Sequence, residues 1–177
     1  MLTLSLLRHA KSSWDSPSLD DFDRPLAKRG QKAAPEIGAA LAAMGLKPDL
    51  VLCSTALRAR ETLDLVLPKL ASPAPQTIYE EALYMASPST LLERVRSVPP
   101  RIDDLAVHHV MLVGHNPGLE ELAPMLIGGG ATDDITRMAQ KFPTAAAAII
   151  AFDVDEWPMI GPGLGRLEHF LTPRRLP

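Results

Sequence analysis

Three short apolar runs in this 177-residue chain are followed by polar side chains that suit phosphoryl chemistry. Arg8 and His9 end the first run, Arg58 follows the second, and His115 ends the third. A neutral imidazole is a good nucleophile, and a guanidinium is a planar donor that can bind two phosphate oxygens at once. Together these residue types predict a histidine that attacks a phosphoryl group while arginines hold its oxygens.

The apolar runs themselves predict buried strands of a parallel sheet. They span residues 2–7, 50–53 and 110–113, and polar residues bound each of them. In open α/β sheets, ligands bind in the crevice beyond the carboxyl ends of the strands. A single Arg-His pair is equally typical of a strand that ends in solvent. The recurrence over three distant segments is therefore what predicts a common site.

Length, composition and charge bound the class of protein. The length predicts one domain over residues 1–177, and the hydrophobic share of 46% and charged share of 22% are ordinary for a globular protein. The net charge of −3 argues against nucleic acid as a partner, because such binding usually requires a basic field. If the Arg and His residues named above meet in one pocket, positive charge is concentrated there although the chain as a whole is acidic. Such a pocket suits an anionic substrate.

The cysteine and hydropathy patterns exclude further classes. Cys53 is the only cysteine, so an internal disulfide and a cysteine-rich metal site are excluded, and its apolar neighbours predict a core position. No apolar run approaches the ~20 residues of a membrane span, and no basic segment precedes the first strand as in a signal peptide. We therefore expect a cytoplasmic protein without membrane contact. Its oligomeric state is not predicted.

Helical and extended periodicities alternate along the chain, which predicts the α/β class. The last two predicted strands should turn back on each other, with the final one at the edge of the sheet. We expect a three-layer α/β/α sandwich whose mostly parallel sheet has an antiparallel edge. Beyond the three strands above, helices are predicted at 26–44, 56–70, 88–95, 117–127 and 131–141, and strands at 76–79, 145–152 and 165–172.

Glycine and proline positions refine these elements. Pro35 is best tolerated in the first turn of a helix, so the regular part of the first helix is expected to begin near Ala33. Gly30 is unfavourable inside a helix, which indicates close packing there. The run of glycines at 128–130 should break the fourth helix, and the Ser-, Asp- and Pro-rich residues 12–25 should form a loop over the site.

Six segments, spread over nearly the whole chain, add a more specific signal. They are Leu7-Arg8-His9-Ala10-Lys11-Ser12, Arg24-Pro25-Leu26-Ala27-Lys28-Arg29-Gly30, Ser54-Thr55-Ala56-Leu57-Arg58-Ala59-Arg60-Glu61-Thr62, Glu81-Ala82-Leu83-Tyr84, Val113-Gly114-His115-Asn116-Pro117 and Lys141-Phe142-Pro143-Thr144-Ala145. In this order they resemble the histidine phosphatase superfamily, also called phosphoglycerate-mutase-like. The resemblance is greatest to its small SixA-type phosphohistidine phosphatase branch.

The resemblance implies a role for each residue of the predicted site. His9 would be the nucleophile that takes the phosphoryl group, and Arg8, Arg58 and His115 would bind its oxygens. A backbone carbonyl that accepts from one ring nitrogen of His9 would fix the tautomer needed for attack. No metal or other cofactor is expected, because two guanidiniums and an imidazole supply the positive charge.

The resemblance also implies less secure positions around this centre. Glu81 would be the acid, since the superfamily often places that acid three residues before a tyrosine, here Tyr84. Glu80 or a carboxylate of a solvated loop are alternatives. Thr144 would touch the pocket, whereas Lys11 and Ser12 would either line its mouth and bind substrate or lie in a solvated loop.

Three functions remain open at this point. The first is a phosphatase whose partner is a phosphorylated substrate, either a phosphohistidine-bearing protein or a small phosphate ester. The second is a non-catalytic phosphate-binding or scaffold domain of the same fold. The third, a phosphomutase, is disfavoured because Trp14 stands where the mutases place a phosphate-binding asparagine. Arg24 and Arg29 are expected to pair with nearby aspartates, although a role in substrate binding stays open for both.

Overall fold

A central mixed sheet lies between two layers of helices in the computed structural model, which describes residues 1–70 and 73–176. The strands are β1 (Leu2–Arg8), β2 (Leu50–Ser54), β3 (Gln76–Glu80), β4 (Arg101–Ile102), β5 (Leu105–Ala106), β6 (His109–Gly114), β7 (Ile127–Gly130), β8 (Ala147–Phe152) and β9 (Gly165–Leu171). The helices are α1 (Lys28–Ala43), α2 (Leu57–Leu70), α3 (Pro88–Arg96), α4 (Gly118–Leu126) and α5 (Thr132–Gln140). Short 3₁₀ turns lie at Asp21–Asp23, Glu81–Leu83 and Trp157–Met159.

The main sheet has the strand order β3-β2-β6-β1-β8-β9-β7 over the described residues. Strands β3, β2, β6 and β1 are mutually parallel, whereas β8 is antiparallel to both of its neighbours. Parallel strands need crossover connections, and here helices provide them and cover both faces of the sheet. The predicted α/β/α sandwich with a mostly parallel sheet is confirmed.

The core is divided by the sheet into two apolar layers. Side chains of α1 and α2 pack on one face, where Ile37 and Val66 are fully buried. Side chains of α3 and α4 pack on the other, where Leu91 and Leu122 are buried. Cys53 is fully buried as predicted, and burial raises the pKa of its thiol to about 12. This thiol is therefore protonated and inert at neutral pH.

Several predicted element boundaries differ from the structure. Helix α1 begins at Lys28, five residues before the predicted regular start near Ala33, and Pro35 lies inside it. The prediction for Pro35 was wrong because tertiary packing of the helix against α2 outweighs one lost hydrogen bond. Gly30 does mark a close approach, since a Cβ there would lie 2.2 Å from the carbonyl oxygen of Lys11.

The end of the sheet also departs from the prediction. The glycines at 128–130 do end α4, but they continue as strand β7, which pairs with β9. Strand β9 therefore lies inside the sheet and not at its edge, which corrects the predicted order. Gly128 and Gly130 allow this pairing, because a Cβ at either position would lie within 2.6 Å of a backbone oxygen of a neighbouring segment. The pair β4 and β5 was not predicted.

Candidate active site

Strand register brings the two predicted site histidines together. Arg8, the last residue of β1, pairs with Gly114, the last residue of β6, so that His9 and His115 each take the next position along neighbouring parallel strands. Their ring centroids lie 5.1 Å apart, and both side chains are buried. The predicted meeting of the strand ends is confirmed for these two residues.

The hydrogen bonds of His9 define its tautomer. Nδ1 lies 2.7 Å from the carbonyl oxygen of Ala10, which can only accept, so Nδ1 carries the proton. Nε2 therefore holds the lone pair and accepts a hydrogen bond of 3.3 Å from Nε of Arg58. A backbone carbonyl thus fixes the tautomer as expected, and Nε2 is the nucleophilic atom on this geometry.

Burial keeps both imidazoles neutral. Desolvation, together with the positive charges of Arg58 and Arg8, lowers the pKa of His9 to about 3. Desolvation, followed by the charge of Arg58, lowers the pKa of His115 to about 3 as well. A neutral Nε2 is the form that can attack phosphorus, so the site holds His9 ready for attack at neutral pH.

His115, which also lines this centre, has one ring nitrogen without a hydrogen-bond partner among the described residues. Its Nε2 lies 2.8 Å from Oγ of Ser54, the last residue of β2, and its Nδ1 is buried without a hydrogen-bond partner among the described residues. The hydroxyl of Ser54 accepts from the backbone N–H of Ala56 at 3.3 Å. When that hydroxyl donates to Nε2, Nδ1 of His115 carries a proton that a phosphate oxygen would accept.

Arg8 is anchored on one side and keeps donors for a ligand. Its Nη1 donates to the carbonyl oxygen of Phe142 at 2.8 Å, and the side chain of Asn116 donates to the same oxygen at 2.9 Å. The Nε of Arg8 is buried and lacks a partner among the described residues. A buried unpaired guanidinium donor is costly, and a bound phosphate oxygen would satisfy it.

Arg58 is oriented entirely by internal partners. While Nε donates to His9, Nη2 donates to a carboxylate oxygen of Asp21 at 2.9 Å, and Nη1 donates to the backbone oxygen of the same residue. Tyr84 donates its hydroxyl proton to that carboxylate at 2.6 Å. The hydrogen bond from Tyr84, then the charge of Arg58, lower the pKa of Asp21, which is ionised at neutral pH.

Two residues of the α2 segment fasten the loops around the nucleophile. Thr62 accepts from the backbone N–H of Ala10 at 2.9 Å and donates to the carbonyl oxygen of Arg58 at 2.6 Å. Glu61 accepts from the backbone N–H of Leu26 at 2.6 Å. The backbone of Ala10, whose carbonyl fixes the tautomer of His9, is thereby held to α2, the helix that carries Arg58. Both residues belong to a motif quoted above, but no role was assigned to them.

The positions predicted around the centre lie as follows. Lys11 and Thr144 line the cavity that contains His9, and Lys11 is exposed at its mouth. Ser12 also lines this cavity, but it is buried and its hydroxyl accepts from Arg24. The cavity has a volume of about 220 Å³, and we call it the catalytic cavity.

Glu81 is not brought to the catalytic cavity. Its side chain is exposed in the 3₁₀ turn after β3, and Glu81 does not line the cavity. The alternative, Glu80, forms a bidentate ion pair with Arg94, with hydrogen bonds of 2.6 to 2.8 Å. Asp21 is the only carboxylate among the described residues that line the cavity.

Arg24 and Asp21 form the expected ion pair, at 3.6 Å, whereas Arg29 makes none with the described residues. The Arg24 guanidinium also stacks on Trp14, with its central carbon 3.4 Å from the ring centroid. A carboxylate of a solvated loop was one alternative for the acid, but Asp21 was not singled out among the loop residues. Its position within an acidic loop over the predicted site was the available signal.

Other histidines lie away from this centre. His109 is buried at the opposite end of β6, where Nε2 lies 2.7 Å from the hydroxyl of Ser5. Asp49 accepts from the backbone N–H groups of His108 and His109 at 2.8 Å. These contacts hold the start of β6 in place. Within residues 1–70 and 73–176, no group of three His, Cys, Asp or Glu side chains is placed to hold a metal ion, and no helix is long and apolar enough to cross a bilayer.

Comparison with known proteins agrees with this geometry. The model of the histidine phosphatase superfamily (branch 1) matches residues 4–84. An uncharacterised protein of Mycobacterium tuberculosis (strain ATCC 25618 / H37Rv) is 38% identical over 170 residues, which cover 95% of this chain and all of the relative.

Solved structures extend the likeness over the whole fold. The "putative phosphohistidine phosphatase SixA" from Agrobacterium tumefaciens is 31% identical, with a TM-score of 0.77 and 97% of each chain covered. A protein from Nakamurella multipartitia, likewise described as a "putative phosphohistidine phosphatase SixA", is 26% identical, with a TM-score of 0.78 and coverage of 97% of this chain and 96% of its own. These likenesses agree with the site, where His9, Arg58 and His115 meet. This chain belongs to the SixA-type branch of the histidine phosphatase superfamily.

Proposed function

We propose that this chain is a metal-independent phosphatase that forms a phosphohistidine intermediate at His9. Its substrate is a phosphohistidine on a protein or a small phosphate ester. The observation that carries the proposal is the fixed tautomer of His9, whose Nε2 lone pair faces Arg58 while Nδ1 is held by the carbonyl of Ala10. A scaffold domain would have no need of a desolvated, neutral imidazole in this orientation.

In the first step, Nε2 of His9 attacks phosphorus. A bond forms between Nε2 and phosphorus, the bond to the leaving group breaks, and the leaving group departs with the electron pair. Negative charge on the three equatorial oxygens is stabilised by Arg8, Arg58 and Nδ1 of His115. In the second step, a water oxygen attacks phosphorus, and the P–N bond breaks with its electron pair returning to Nε2 of His9. The attacking water loses one proton to solvent, and inorganic phosphate leaves.

The acidic and basic side chains that line the catalytic cavity favour a phosphohistidine substrate over an alkyl phosphate ester. An alkoxide leaving group needs a proton donor, whereas an imidazole leaving group departs more readily. Asp21 is the only carboxylate that lines the cavity among the described residues, and its lowered pKa keeps it ionised. Glu81 is exposed outside the cavity, so its role as the acid remains a prediction from the resemblance.

Metal independence is supported by the positive charge already present. Arg8 and Arg58 supply two permanent cations where a metal ion would otherwise neutralise the phosphate. We expect hydrolysis to continue after treatment with EDTA. Activity that is lost with the chelator and restored by added Mg²⁺ would contradict this part of the proposal.

Covalent labelling tests the proposal directly. Incubation with ³²P-labelled phosphoramidate, followed by rapid quenching, should give a protein label that is stable in base and lost in acid. His9→Ala should abolish the label, whereas His109→Ala, which removes a buried histidine away from the cavity, should keep it. A label that persists in His9→Ala would remove the nucleophile assignment. Purified protein should also release phosphate from phosphohistidine-containing protein.

A further inference from the structure

A second cavity beside the catalytic one has a strongly basic lining. It has a volume of about 410 Å³ and shares Arg8, Lys11 and Thr144 with the catalytic cavity. We call it the basic cavity. All of the charged residues that line it are cations: Arg8, Lys11, Arg29, Lys141 and Arg174.

These cations come from separate segments and lack acidic partners. Arg29 lies in α1, Lys141 follows α5, and Arg174 lies beyond β9. Among residues 1–70 and 73–176, none of the five cations forms an ion pair with a carboxylate. Gathering like charges in a chain of net charge −3 costs Coulomb energy, which an anionic ligand would relieve.

Apolar side chains lie at the catalytic cavity. Trp14 is 69% exposed and Met85 is 49% exposed, and both line that cavity without lining the basic one. Tryptophan, methionine and arginine are the side chains enriched at protein–protein interfaces. The surface around the scissile phosphate therefore combines exposed cations with exposed apolar groups.

We propose that this surface docks a phosphorylated protein whose acidic side chains, next to its phosphohistidine, bind in the basic cavity. The inference rests on the proposed function and adds an acidic flank to its substrate. Four of the five cations are exposed, as expected for contacts at the rim of a protein interface. A small molecule with a second phosphate would use the basic cavity but would leave Trp14 and Met85 uncovered.

Paired peptides test this inference. Each carries one phosphohistidine, formed with phosphoramidate, and is flanked on one side by three glutamates or by three glutamines. At low salt, kcat/KM should be about tenfold higher for the glutamate peptide, because several exposed ion pairs add and the field steers encounter. The preference should shrink as ionic strength rises.

The variant R29A/K141A/R174A should abolish the preference. The matched control K32A/K69A/R101A also removes three positive charges, but none of these residues lines the basic cavity, and it should keep the preference. Because the readout is a ratio of two substrates measured on one sample, a reduced folded fraction cancels out.

The outcomes separate this inference from the function on which it rests. Equal hydrolysis of both peptides by the unmodified protein would overturn acidic docking and leave the phosphatase proposal standing. A preference for 1,4-butanediol bisphosphate over butyl phosphate, lost in R29A/K141A/R174A and without any preference between the peptides, would overturn it in favour of a small substrate. Hydrolysis that survives in His9→Ala would instead contradict the proposed function.

Discussion

The Nε of Arg58 donates a hydrogen bond of 3.3 Å to Nε2 of His9. This contact places the proposed nucleophile directly beside a permanent cation. It also keeps the imidazole from taking up a proton, since a second positive charge beside Arg58 is unfavourable.

Replacing Arg58 by lysine should lower kcat by about 10²–10³, the effect expected when one transition-state donor is lost. Lysine keeps the charge but lacks the planar fork that contacts His9 and Asp21 together. Steady-state hydrolysis of a phosphohistidine peptide measures the effect. The matched control is Arg60→Lys on the exposed face of α2, which should leave kcat unchanged. Equal activity of both variants would place Arg58 outside the chemistry.

Asp21→Asn should tighten the binding of inorganic phosphate by about two- to fivefold, the range of one partly exposed ion pair. The carboxylate of Asp21 is paired with the guanidinium of Arg58, to which a phosphate oxygen would also bind. The carboxylate and the phosphate therefore compete for Arg58. Inhibition constants for phosphate provide the measurement. Asp23→Asn, an exposed position in the same 3₁₀ turn, is the control and should have no effect. Weaker phosphate binding in Asp21→Asn would show instead that the carboxylate positions Arg58 for the ligand.

Glu81→Gln should leave kcat for a phosphohistidine peptide unchanged, because its side chain is exposed and does not line the catalytic cavity. The pH profiles of the variant and the unmodified protein should coincide. Glu80→Gln provides a contrast, since it breaks the ion pair with Arg94 and should lower the melting temperature without altering the profile. A fall in kcat confined to Glu81→Gln would assign the acid to this residue.

The free energy of unfolding should fall as pH drops from about 6.5 towards 3. The pKa of each site histidine is about 3 in the folded protein, below the unfolded value of 6.5, so the unfolded chain binds more protons across that window. The contribution of each site histidine to the free energy of unfolding is therefore fully present above the unfolded pKa, and it is lost as the pH falls towards the folded pKa. Between pH 6.5 and pH 5 it amounts to about 2 kcal/mol for each imidazole.

Urea unfolding at several pH values measures this slope for the unmodified protein and for the double variant His9→Asn/His115→Asn. The variant should lose less stability on acidification, although His109, also buried with a lowered pKa, keeps part of the slope. Identical slopes would show that the two imidazoles titrate alike in the folded and unfolded states, so that folding does not lower their pKa.

Much of the fold and the centre of the site could be predicted from the sequence. Residues 50–53 and 110–113 are apolar without interruption, and residues 2–7 are interrupted only by Thr3 and Ser5, a pattern typical of strands buried on both faces of a sheet. Parallel strands present their carboxyl ends at one edge, which is why His9, Arg58 and His115 could be expected to meet. The alternation of periodicities likewise determined the layered α/β architecture.

Only the tertiary structure decided which loop groups complete the site. Asp21 and Tyr84 are separated by 63 positions, and their hydrogen bond depends on loop packing that has no periodic signal. Exposed Glu81 and buried Thr62 could not be told apart by motif, since residue type does not report the direction of a side chain. The glycine strand β7 and the basic cavity also arise from contacts between distant segments, which local sequence preferences do not encode.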